Sequence, residues 1–162
     1  MVAGCLKMYF IKIELVMKKL LVFFFAVSLV ALLACQKYGE DRPVDFGSLP
    51  EAAQAFVKSH YADVKVLYVT KDDDIIFPDY TVRLENGVEI QFSKDGALEK
   101  LESPAGVPDG VVPVQIVEYV KAKYPGTVIL DYEVDRASYE VKLSNRLELK
   151  FNSSFKLIEI DD

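Results

Sequence analysis

Most of the stretch spanning residues 49–103 is written a second time. Leu49-Pro50 returns as Val112-Pro113, Phe56-Val57-Lys58 as Tyr119-Val120-Lys121, and Tyr61 as Tyr124, all at an offset of 63. Farther on, Tyr80-x-Val82-x-Leu84-x-Asn86 returns as Tyr139-x-Val141-x-Leu143-x-Asn145, Glu89-x-x-Phe92 as Glu148-x-x-Phe151, and Leu98 as Leu157. The offset there is 59, so the second copy is four residues shorter in one loop. A long-period repeat constrains architecture before any single residue does. It predicts two like units, over residues 49–103 and 112–162, joined by a Gly- and Pro-containing segment over 103–110.

Within each unit the pattern changes period. Pro50 suits a helix's first turn, where its missing N–H has no partner to lose. Ala53, Phe56, Val57 and Tyr61 then fall on one helical stripe. In the second unit Pro113 opens the stripe of Ile116, Val117, Tyr119, Val120 and Tyr124, and Pro125-Gly126 stops it. Each helix is followed by four strands. The first spans about 64–70 and 127–133, where β-branched and aromatic residues gather. Tyr80, Val82 and Leu84 then alternate with polar residues, and so do Val88, Ile90 and Phe92.

Cross-strand side chains must share a face, and this fixes the register. Leu84 opposite Val88 leaves a three-residue loop with Gly87 at its left-handed position. That sets Val82 against Ile90, Tyr80 against Phe92 and Arg83 against Glu89. The same register sets Tyr139, Val141 and Leu143 against Phe151, Leu149 and Leu147, with Lys142 facing Glu148 and Glu140 facing Lys150. Arg146 stands where the first copy has Gly87, so strain is expected there. Leu98 and Leu101 are three apart, as are Leu157 and Ile160, which predicts a bulge or an irregular strand end in each last strand. The fold class is α+β: two tandem α-β-β-β-β repeats forming an antiparallel sheet, with helices packed on one face and the other face wet.

The N-terminus reads as an address. Met17-Lys18-Lys19 is a positive start, residues 20–33 are an apolar run too short to span a bilayer comfortably, and Leu32-Leu33-Ala34-Cys35 follows. This resembles the lipobox of bacterial lipoproteins, which implies cleavage before Cys35 and acylation of that residue. Residues 1–34 are thus expected to be a signal peptide, with 1–16 an upstream extension. Residues 35–48 are expected to be a lipidated, flexible tether. Gln36 after Cys35 points, by resemblance to the usual sorting rule, to the outer membrane, on its periplasmic or surface side.

Four of the 19 basic residues and one of the 25 acidic ones precede Cys35, so the remainder carries a net charge near −9. An acidic surface disfavours nucleic acid. The two cysteines, Cys5 and Cys35, lie outside the repeats, which excludes a disulfide framework or Cys-based zinc site within them.

The Leu-Pro helix start, the His60-Tyr61 close, the Tyr-x-Val-x-Leu-x-Asn hairpin and the lipobox together resemble the PepSY-like, beta-lactamase-inhibitor-like family of bacterial secreted proteins and lipoproteins. The resemblance covers residues 49–162. It implies two α-plus-four-strand units joined in one larger sheet, and no catalytic residues. Inhibition of a β-lactamase is not carried over, since the inhibitors of this shape carry disulfides and an inserted loop.

No motif for catalysis stands out. His60, the one histidine, reads as a surface residue at a helix C-terminus. Asp72-Asp73-Asp74 with Asp79 lacks EF-hand spacing and a mid-loop Gly, so it reads as a solvated loop. No cofactor, no metal and no enzymatic activity are expected. The polar strand face, with Arg83, Glu89, Gln91, Glu140, Lys142, Glu148 and Lys150, is the candidate surface for a protein partner in the envelope. The alternative is a small ligand or cell-wall fragment held between the halves. The chain is expected to be a monomer, membrane-attached by its lipid.

Overall fold

The computed structural model describes residues 41–72 and 79–162. The expected signal peptide and lipidation site Cys35, and Asp73 and Asp74 of the acidic loop, lie outside the described residues. The elements run β1 (Arg42–Val44), a 3-10 turn (Phe46–Ser48), α1 (Glu51–His60), β2 (Val66–Lys71), β3 (Asp79–Leu84), β4 (Glu89–Ser93) and β5 (Leu98–Glu102). Then follow α2 (Val114–Lys123), β6 (Ile129–Val134), β7 (Ser138–Leu143), β8 (Glu148–Asn152) and β9 (Leu157–Asp161). The nine strands of the described residues form one antiparallel sheet in chain order.

The register is the one the alternation requires. Tyr80 pairs with Phe92, Val82 with Ile90 and Arg83 with Glu89; Tyr139 pairs with Phe151, Val141 with Leu149 and Lys142 with Glu148. The Leu84 N–H donates to the Val88 carbonyl (2.9 Å) and the Leu143 N–H to that of Leu147 (2.8 Å), closing two three-residue turns. Gly87 and Arg146 both take positive φ, 84° and 77°. The expected irregularities are present as register shifts: pairing slips between Gln91 and Phe92 opposite β5, and between Lys150 and Phe151 opposite β9. A further matched pair of slips occurs at Leu67 in β2 and Leu130 in β6.

Following the partners across the sheet gives one apolar row: Val44, Val69, Val82, Ile90, Leu101, Tyr132, Val141, Leu149 and Ile160. Since paired residues share a face, both repeats present their apolar side in the same direction. Both helices cover that side. Ala53 and Val57 of α1 join the first core cluster with Val82, Ile90 and Phe92. Ile116 and Val120 of α2 join the second with Val141, Leu149 and Phe151. Leu98 and Val107 pack against both clusters and tie them together.

One boundary is corrected. Within the stretch 35–48 expected to be a flexible tether, Arg42–Val44 instead pairs with β2 as a strand. Three residues containing Pro43 show no period of their own. They become a strand by pairing with β2, and Val44 packs against the first core cluster.

Candidate functional site at the seam of the sheet

The seven polar residues singled out above lie on the wet face, because each alternates with a buried partner along β3, β4, β7 or β8. Arg83 forms an ion pair with Glu89, and Lys142 with Glu148. Lys150 Nζ stands 3.7 Å from Glu140 Oε2, and Gln91 Nε2 donates to Glu89 Oε1 at 3.4 Å. These pairs are part-exposed and screened by solvent, so they are weak contributors to stability.

Joining the repeats adds what separate readings of them could not supply. β5 pairs with β6, setting Lys100 against Glu133 and Glu102 against Asp131. Two polar rows therefore run unbroken across the sheet. One passes from Arg83 through Glu89, Glu102, Asp131 and Lys142 to Glu148. The other passes from Gln91 through Lys100, Glu133 and Glu140 to Lys150. They enclose a cleft of about 490 Å³ at the seam, lined by Lys100, Glu102, Asp131, Glu140, Lys142 and Glu148 among others. Of the seven, Glu140, Lys142 and Glu148 line this cleft, and Gln91 lines a neighbouring depression with Glu99, Glu133 and Arg136. Arg83, Glu89 and Lys150 stand on the same face outside both.

Two carboxylates placed opposite each other need a cation. Lys100 Nζ is 2.7 Å from Glu102 Oε1 and 3.4 Å from Asp131 Oδ2. Its hydrogen bond to Glu102 is the main reason the Lys100 pKa is raised, and the same bond lowers that of Glu102. Asp131 goes the other way. Burial pushes its carboxyl up to about 6 against the pull of Lys100, and Oδ1 is buried without a hydrogen-bond partner. The cleft thus holds a carboxyl whose charge changes in mild acid. Among the described residues no group of three acidic, histidine or cysteine side chains is placed to hold a metal ion. His60 is exposed at the end of α1 with its ring 4.6 Å from that of Phe56, away from the wet face.

The family model described as "Putative beta-lactamase-inhibitor-like, PepSY-like" matches this chain twice, over residues 37–100 and 78–159. The chain belongs to the PepSY-like family. Three solved structures share the fold at a TM-score of 0.72. A Bacteroides thetaiotaomicron protein described as a "putative calcium-regulated periplasmic protein" is 38% identical, over 75% of this chain and 97% of its own. A Bacteroides vulgatus periplasmic protein is also 38% identical, over 76% and 98%. A second B. vulgatus periplasmic protein of unknown function is 29% identical, over 76% and 100%. No curated protein matches the chain. In this PepSY-like chain Lys100, Glu102, Asp131 and Glu133 escaped the sequence reading, because nothing in a repeat says which of its strands meets the next. Their one signal was polarity at positions flanking Leu101 and Tyr132.

Proposed function

We propose that this PepSY-like protein is a non-enzymatic lipoprotein of the cell envelope, anchored through Cys35, that binds a protein partner on the wet face of its sheet. The observation that carries this reading is the pair of polar rows crossing both repeats and meeting at the seam cleft. A flat field of paired charges, with a cleft at its seam, suits a polar protein surface that inserts a side chain there. Carboxylates outnumber lysines around the cleft, so the inserted group would be a lysine or arginine. The periplasmic relatives support the compartment, and the inhibitor-like family supports a binding role rather than catalysis. The calcium named for the B. thetaiotaomicron protein finds no preformed cage among the described residues here.

The alternative is a small ligand or cell-wall fragment, favoured by a cleft volume within the usual range for such sites. A photo-crosslinker placed at Lys150, beside the cleft, separates the two. The first reading expects a discrete protein adduct that weakens about tenfold or more when Lys142 and Glu148 are exchanged for each other. An adduct from a crosslinker at exposed Glu51 but not at Lys150, with a saturable response to cell-wall fragments, would favour the second. Cys35→Ala should move the protein from the membrane fraction to the soluble one.

A further inference from the structure

The two ends of the sheet are closed differently, and the duplication shows what the open one accepts. β9 is the second copy of β5: Leu157 matches Leu98, Glu159 matches Lys100, Ile160 matches Leu101 and Asp161 matches Glu102. Both strands carry the same bulge against the strand before them. Beyond the bulge, β5 receives β6 along its far edge, with Lys100, Leu101 and Glu102 facing Glu133, Tyr132 and Asp131. Among the described residues β9 receives nothing there. The consequence is measurable at one position: Leu101 is 0% exposed, whereas Ile160 is 49% exposed. Ile158 beside it is 57% exposed.

The opposite end of the sheet is guarded. β2, the first copy of β6, is covered by β1, so that Val69 is buried. β1 in turn is only three residues long and carries Pro43, which has no N–H to offer a newcomer. β9 has five residues and neither Pro, Gly nor Lys. Its outward hydrogen-bonding groups follow from β5. The Ser103 N–H donates to the Leu130 carbonyl at 2.8 Å, so by alternation Leu101 faces β6 as well. The equivalents in the second copy are Asp162 and Ile160.

We infer that the free edge of β9 is a strand-docking site for an extended segment of another protein, running antiparallel, with an apolar or aromatic residue opposite Ile160 and basic residues on either side of it. Tyr132 shows what the apolar residue does on the first copy: it lies opposite Leu101 and is itself buried. The flanking charges choose the partner. Where β5 alternates Lys100 with Glu102, β9 offers Glu159 and Asp161, two carboxylates on the wet side, and lysines opposite them would pair as cross-strand ions. A second copy of this chain is a poor occupant. Pairing β9 with itself about Ile160 sets Glu159 against Asp161 twice over, with no cation between. This is addition of a strand to a sheet edge, where backbone bonds supply affinity and alternate side chains supply selection.

The test uses the full chain in detergent and a short synthetic peptide alternating lysine with tyrosine and valine. Residue-resolved hydrogen exchange should show the amides of Ile160 and Asp162 slowing about tenfold or more on saturation, with those of β1 unchanged. A peptide N-methylated on the edge facing β9 should not bind. The double reversal Glu159→Lys with Asp161→Lys should weaken the lysine peptide about tenfold and admit a glutamate–valine peptide in its place. Three results would each overturn the inference: protection at the seam cleft instead of β9, equal binding by the reversed variant, or a concentration-dependent dimer whose interface protects Ile160 without peptide.

Discussion

In the first repeat Phe56 of α1 meets Phe92 of β4 edge-on, with ring centroids 5.6 Å apart; in the second, Tyr119 of α2 meets Phe151 of β8 edge-on at 5.4 Å. Phe92 and Phe151 are both fully buried. On the opposite side of the same strands the copies part company. Thr81 becomes Glu140, Gln91 becomes Lys150, and Tyr68 becomes Asp131. The buried face stays apolar in both copies because it must pack against a helix, although individual residues differ, as Val69 does from Tyr132 and Ala53 from Ile116. The wet face has no such constraint and is where the two copies can acquire different tasks.

If the two cores are truly one design used twice, the largest effects should be equal. Phe92→Ala and Phe151→Ala should each cost about 3–5 kcal/mol, within about 1 kcal/mol of each other, in urea unfolding. Both should unfold in a single transition, because β5 and β6 join the halves and Leu98 and Val107 serve both clusters. Two separate transitions, or one phenylalanine tolerated and the other not, would break the equivalence.

The next contrast is Asp131 with Tyr68. Tyr68 faces Arg83 and is half-exposed, whereas Asp131 faces Lys142 in the matching place and lies against the seam cleft. The folded-state value of Asp131, about 6, lies above the ordinary 3.8. The folded protein therefore holds this proton more tightly than the unfolded chain does. The stability so gained is fully present below about pH 4 and lost as pH rises through 6. Above pH 6 the ionised group costs up to about 3 kcal/mol. Asp131→Asn removes the titration, so its advantage over the native chain should grow by about 1–3 kcal/mol between pH 4 and pH 7.5. Urea midpoints at the two pH values measure this. A flat difference would mean that Lys100 compensates the buried charge completely.

How much of this was legible in one dimension divides along the same line. Strand register could be read because a slip by one residue would turn Val82, Ile90, Val141 and Leu149 outward. The bulges could be read because both copies shift by three at Leu98/Leu101 and Leu157/Ile160. β1 could not, since Arg42-Pro43-Val44 has no alternation and is ordered by tertiary contacts, pairing with β2 and packing of Val44 on the first core. The seam could not either. That Lys100 holds both Glu102 and Asp131 depends on β5 and β6 being neighbours, a contact between copies on which the pattern within a copy is silent. The polar face was found, but its centre was missed for that reason.

The smallest contrast is in the turns. Gly87 and Arg146 share a left-handed backbone and the same supports. Each donates its N–H to the carbonyl three residues back, at 3.1 Å from Gly87 to Leu84 and 2.9 Å from Arg146 to Leu143. Each follows an asparagine whose side-chain oxygen accepts from the residue two further on, Asn86 from Val88 and Asn145 from Leu147, both at 3.3 Å. With supports matched, the difference between the copies is the Cβ itself. A Cβ on Gly87 would meet only the Pro104 ring at 3.4 Å, so Gly87→Ala should cost the backbone term alone, about 1 kcal/mol. Arg146→Gly should recover less than that, because glycine also loosens the unfolded chain. A gain of a few tenths of a kcal/mol in thermal unfolding is therefore expected, opposite in sign to the change at Gly87. Should Arg146→Gly destabilise instead, the arginine side chain must be held by the second repeat in a way that the first has no means to reproduce, and the turns would join the wet face as a place where the copies have diverged.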